Sequence, residues 1–112
     1  MDLELEYRAD GRLTLTSARA LFRKLRLDRA AVIIRRHAYA DHPERLFTRE
    51  ELLLLVQSGN GDINENNVAP SATFGSFLFR LTDDQGRACE IALLLDGDGS
   101  WKIIVIHAFR RV

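Results

Sequence analysis

Residues 73–109, TFGSFLFRLTDDQGRACEIALLLDGDGSWKIIVIHAF, decide the fold of this chain. Three apolar runs, over 73–82, 87–95 and 100–109, are separated by Asp83-Asp84-Gln85-Gly86 and Asp96-Gly97-Asp98-Gly99. Both separators carry turn chemistry, and connections this short join neighbouring strands in opposite directions, so the stretch predicts an antiparallel three-stranded meander. Phe77, Phe79 and Leu81 share one face of the first strand, and Cys89, Ile91, Leu93 and Leu95 share one face of the second. The last strand is apolar on both sides, with Trp101, Ile103 and Val105 on one and Ile104, Ile106 and Ala108 on the other. That pattern predicts a central strand covered by helices.

Working back from the meander, residues 60–67 are polar and Pro70 breaks the pattern. Upstream, Thr48 and Glu51 form a capping box, and Phe47 with Leu52 fits the hydrophobic staple around it. The helix they start is expected to end at Ser58, with Gly59 in the left-handed conformation just beyond. Its run from Leu52 to Val56 is apolar all round, which predicts burial on more than one side or packing against another chain.

Ala30–Ile34 is a short β-branched run that reads as a strand feeding Arg35-Arg36-His37, with a continuing helix as the alternative. Before it, Ala18, Leu21, Phe22 and Leu25 recur at helical spacing, with Thr16 or Ser17 as the cap. Leu3, Leu5 and Tyr7 alternate with polar residues up to Asp10-Gly11, and Leu13 and Leu15 follow, the signature of a tight hairpin. The reading is an α+β fold in a single domain, 1–112: an N-terminal hairpin and helix, then a capped helix packed on the C-terminal meander.

Composition narrows the function classes. The chain has 112 residues, 46% of them hydrophobic and 29% charged, which suits one globular core without disulfides or metal staples. Sixteen basic residues balance sixteen acidic ones, an argument against strong non-specific nucleic-acid binding. The distribution is less even: Arg19, Arg23, Lys24, Arg26, Arg29, Arg35 and Arg36 face only Asp28 between residues 19 and 37. Cys89, the one cysteine, falls within an apolar alternation and reads as a buried thiol in a reducing cytoplasm. Asp2, Glu4 and Glu6 follow Met1, and no apolar run reaches 18 residues, so neither a secretory segment nor a membrane span is expected.

Histidines supply the candidate chemistry. His37 lies just before the capped helix and His107 near the end of the last strand. Imidazole is the side chain suited to trading protons near neutrality, so two on facing elements can form an acid/base pair. The alternatives are a solvated His37 at a helix entrance and a backbone-bonded His107 in the sheet. His42, beside Asp41 and before Pro43, reads as a turn residue; the i, i+4 spacing of His37 and Asp41 is metal-compatible, but no second ligand cluster follows and no metal site is assigned. Asp96-Gly97-Asp98-Gly99 lacks the later ligands of a calcium loop and reads as a turn. Phe74, beside Gly75, is the aromatic most open to stacking on a base, the others following the strand alternation.

Arg36-His37 ahead of Thr48-x-x-Glu51, followed by a meander ending Val105-x-His107-Ala108-Phe109, resembles the small bacterial and phage nuclease toxins of the barnase–EndoU–colicin–RelE-like superfamily. The resemblance implies a metal-independent endoribonuclease, a hydrolase-class RNA-binding toxin of the bacterial cytoplasm, with no cofactor. It assigns His37 and His107 as base and acid in either order, with Arg80 beside them. Arg35, Arg36, Arg23 and Arg110 become the nucleic-acid contacts. Related toxins often carry Ser or Thr where His107 stands. RNA is the implied partner; an antitoxin-like protein, a homodimer through Leu52–Val56, or a protein target such as gyrase belong to the alternative of an interaction module or a binding toxin.

Overall fold

The computed structural model describes residues 4–40, 47–66, 74–97 and 100–110. His42, Asp41, Pro43, Pro70 and the Asp98-Gly99 pair lie outside them. The described chain is an α+β domain whose strands form one five-stranded mixed sheet. Helix α1 spans Leu15–Leu25 and strand β1 Val32–Ile34; helix α2 spans Arg49–Ser58 and β2 Ile63–Glu65. Strands β3, Ser76–Thr82, β4, Ala88–Asp96, and β5, Lys102–Arg110, complete the order β1-β5-β4-β3-β2.

The meander of β3, β4 and β5 is antiparallel as its turns require, and β5 is an interior strand. Beyond it, β1 joins β5 in parallel, pairing Val32 with Ile103 and Ile34 with Val105. At the other edge β2 places Ile63 against Phe79. Both edge strands are only three residues long; β1 falls within the strand expected at Ala30–Ile34, whereas β2 lies inside the polar stretch 60–67 and had no alternation to mark it.

One side of the sheet makes the core. Phe77, Phe79, Ile91, Leu93, Ile103 and Val105 meet Leu21 and Phe22 of α1 and Leu52, Leu53 and Val56 of α2. The helices thus cover one face of β5 rather than two. Leu54 points the other way and is 63% exposed, so α2 is buried along a broad stripe and not all round. Arg26 lashes the layers together: its guanidinium lies over the rings of Phe22 and Phe79 and donates to the carbonyls of Val56, at 2.8 Å, and Gly59, at 2.6 Å. Those carbonyls belong to the end of α2, where backbone acceptors lack helical partners.

Three local expectations are corrected. The N-terminal hairpin shrinks to a single Tyr7–Leu13 bridge, held by the Arg8 N–H to the Arg12 carbonyl and the Thr14 N–H to the Glu6 carbonyl, because the chain turns into α1 at Leu15. Thr14, not Thr16 or Ser17, caps α1 by accepting from the Ser17 N–H, while the Ser17 hydroxyl is buried and accepts from the Glu6 N–H. Gly59 is extended, at φ −61°, and its requirement for glycine is steric: a Cβ there would lie 2.5 Å from the Leu55 carbonyl oxygen and 2.7 Å from Leu81. The α2 capping box forms in full, with Thr48 and Glu51 each accepting the other's backbone N–H.

Candidate functional site

A bulge in β5 builds the site. Ala92 pairs with His107 and Leu93 with Val105, so Ile106 is the extra residue. A regular strand would carry Val105 and His107 on the same face, toward the core. With the insertion, Ala108 and Arg110 turn inward, and His107 and Phe109 turn to the face that the helices leave open. Ala108 therefore joins Ile103 and Val105, the reverse of the grouping expected from simple alternation.

Strand β1 brings in the second imidazole. Past Ile34 the Arg35 N–H still donates to the Val105 carbonyl at 3.0 Å, extending the contact with β5. Arg36–Ala38 then forms a 3-10 turn in which Ala38 is buried in the core and Arg36 and His37 are exposed. The rings of His37 and His107 stack with centroids 6.0 Å apart and planes inclined by 28°. Residues seventy positions apart in sequence are thereby adjacent, His37 exposed and His107 half-buried.

The guanidinium groups divide. Arg35 and Arg36 are exposed beside His37, and among the described residues neither makes an ion pair. Arg80 shares the open face with His107 but stands two strands and two residues away, roughly 12 Å on ordinary sheet spacing. Its Nε is engaged by Glu90 at 3.0 Å. Arg23 lies on α1, on the core side of the sheet, where it pairs with Asp62. Arg110 is 9% exposed, lies 4.3 Å above the Phe47 ring, and meets Glu51 at 3.0 Å and Asp83 at 3.4 Å. Of the seven site residues assigned from sequence, the structure gathers His37, His107, Arg35 and Arg36; Arg80 is a neighbour on the same face, Arg23 is exposed on the opposite side of the sheet, and Arg110 belongs to packing.

Arg110 holds together a polar cluster at the far end of β5. Its hydrogen bond keeps the Glu51 carboxyl below its ordinary range. Burial pushes the Asp83 carboxyl up, but the backbone N–H groups of Arg87 and Gln85 and the Arg87 guanidinium outweigh it and hold Asp83 low. Cys89 is a buried thiol there, as its alternation implied. Among the described residues no group of three or more His, Cys, Asp and Glu could hold a metal ion, and no helix is long and apolar enough to cross a membrane.

Two residues of the open face had no clear sequence signal. Phe109 continues an apolar run and reads as core, yet it is 46% exposed because the bulge reverses the phase of the strand. Glu90 acquires its meaning only from the register that sets it between Arg80 and Phe109. Phe74, expected to be the more open aromatic, is half-buried edge-on against Trp101.

The class of protein defined so far is an α+β domain with an imidazole pair, one ring exposed and one half-buried, on the side of its sheet opposite the two helices. No protein-family model matches the chain, and no curated protein or solved structure matches it at a significant level.

Proposed function

We propose that this protein is a metal-independent endoribonuclease of the small toxin or phage type, with His37 and His107 as its acid/base pair. The observation that carries this reading is the 6.0 Å separation of the two rings, with the exposed Arg35 and Arg36 next to His37 in the chain. RNA cleavage by internal attack needs those groups. One imidazole takes the proton of the 2′-hydroxyl as its oxygen bonds to phosphorus; the other, protonated, gives its proton to the 5′-oxygen as the P–O5′ bond breaks. Charge gathers on the non-bridging oxygens meanwhile, and guanidinium groups are suited to receive it. The products are a 2′,3′-cyclic phosphate and a free 5′-hydroxyl, and neither step requires a cofactor.

Zero net charge makes phosphate contact a local affair of Arg35 and Arg36 rather than of a general basic surface. Incubation of the purified protein with mixed RNA in EDTA tests the proposal. Cleavage that disappears in His37→Ala and in His107→Ala supports it; full activity in both variants, or none in the wild type, refutes it.

A second reading is a non-catalytic interaction module. Leu54, 63% exposed in the middle of the apolar run of α2, favours it by offering a face for a second copy or for an antitoxin-like partner. Under that reading no RNA is cut, and Leu54→Glu changes the mass in solution or the partner affinity.

A further inference from the structure

We propose that the groove lined by Phe109, Glu90 and Arg80, two residues along β5 from His107, is a subsite that receives one unpaired nucleobase of the RNA strand. The inference rests on the ribonuclease reading and names its substrate class: a strand whose base is free to leave a duplex.

Position comes first. Phe109 follows His107 by two residues on the same face of β5, about 7 Å along the strand. A strand whose phosphate lies at the imidazole pair therefore has an adjoining base within reach of the ring. Across the sheet Phe109 pairs with Glu90, and Glu90 with Arg80, so an aromatic surface, an acceptor and a donor form one row.

Space and exposure agree with that row. Phe109, Glu90 and Arg80 help to line an open groove of about 740 Å³ that wraps the end of the sheet, taking in Leu81 and Cys89 of the core face and Asn60 beyond α2. This lies in the size range of small-molecule pockets. Phe109 is the large apolar side chain of β5 that remains 46% exposed, while its neighbours Ala108 and Arg110 are buried. Burial under a base would remove that apolar surface from water.

Chemistry decides the occupant. Stacking on an aromatic ring accepts any base face, and the Glu90 carboxylate can accept from base N–H groups while Arg80 donates to base carbonyl or ring-nitrogen acceptors. Paired to Glu90 and remote from the imidazoles, Arg80 is suited to reading an edge rather than to neutralising the scissile phosphate. A base within a duplex offers neither its face nor its pairing edge, so the subsite selects single strands.

The test uses a fluorescein-labelled, non-cleavable 2′-O-methyl RNA ten-mer, a copy with one abasic residue, and its duplex, with binding read by anisotropy. Base–aromatic stacking predicts that Phe109→Leu weakens single-strand binding by about 5- to 100-fold, and that Phe109→Trp restores it. Glu90→Gln leaves the stack in place and changes the preference among base sequences. Duplex binding is weaker and indifferent to Phe109, and the abasic strand loses no further affinity in Phe109→Leu. Equal affinity of wild type and Phe109→Leu, or no single-strand binding by the wild type, overturns the subsite. If cleavage depends on the histidines while Phe109 is silent, the subsite falls and the ribonuclease reading stands. Phe109-dependent binding without any cleavage supports the subsite and removes the enzymatic reading.

Discussion

Removing the Arg26 side chain tests whether the basic cluster of the N-terminal half is architecture or RNA-binding surface. Arg26 donates to the carbonyls of Val56 and Gly59 and lies 4.9 Å and 5.0 Å from the ring centres of Phe22 and Phe79. Burial lowers its pKa and Asp62 raises it in part, but arginine stays charged throughout the accessible pH range. A hydrogen bond from a charged donor contributes about 1.5–3 kcal/mol when well made; taking the low end for a half-buried group gives about 3 kcal/mol for the two. The ring contacts add about 0.5 kcal/mol each, and rehydration of the freed carbonyls returns part of the total. Arg26→Ala is thus expected to cost about 3 kcal/mol, near 12 °C in melting temperature for a domain of this size. Arg26→Lys, which lacks the fork needed to serve two carbonyls, costs about half as much. Urea unfolding measures both, with an unchanged m-value required for a clean comparison. Under the ribonuclease proposal, RNA cleavage by the folded variant is expected to stay at the wild-type level. A loss below 0.5 kcal/mol (about the scatter of surface substitutions), or a specific loss of cleavage, would refute the assignment of Arg26 to packing.

Thr48→Ala removes one half of the capping box and should lower stability by about 1 kcal/mol, read from the same urea midpoint. Gly59→Ala is expected to destabilise although its φ suits any residue, because the added methyl meets the Leu55 carbonyl and Leu81; stability equal to wild type would contradict that close approach. The lowered carboxyl groups of Glu51 and Asp83 predict an acid-sensitive fold. Their contribution is complete above the unfolded-state range, about pH 4, and is lost as pH falls through the lower folded-state values. Unfolding followed from pH 6 to pH 2 should show this decline, reduced in Glu51→Gln.

Local chemistry made much of the fold legible. Capping-box spacing places the start of α2, and turn residues with period-two runs delimit β3, β4 and β5 to within a few residues. The apolar run Ala30–Ile34 announced β1, but its parallel pairing with β5 and the whole of β2 depend on partners remote in sequence, so the mixed sheet around the meander was not readable. For the site, the two imidazoles were visible as residue types, and their meeting depends on β1 running parallel to β5 and on one inserted residue at Ile106. A bulge leaves no mark in an all-apolar run such as Ile103–Ile106, and it is what separates Phe109 from the core and Arg110 from the surface. Basic residues were the least legible feature, since Arg23, Arg26 and Arg110 found carboxylates, carbonyls and rings within the fold.

The proposed joint action of His37 and His107 is tested most directly by single-turnover cleavage of an RNA oligonucleotide in EDTA, with product ends identified, in wild type, His37→Ala, His107→Ala and the double variant. Each single substitution should slow formation of the 2′,3′-cyclic phosphate by about 10²- to 10⁴-fold, with the double variant slowed far less than the product of the two losses. Wild-type cleavage by either single variant, or fully multiplicative losses, would contradict a pair acting on one phosphate.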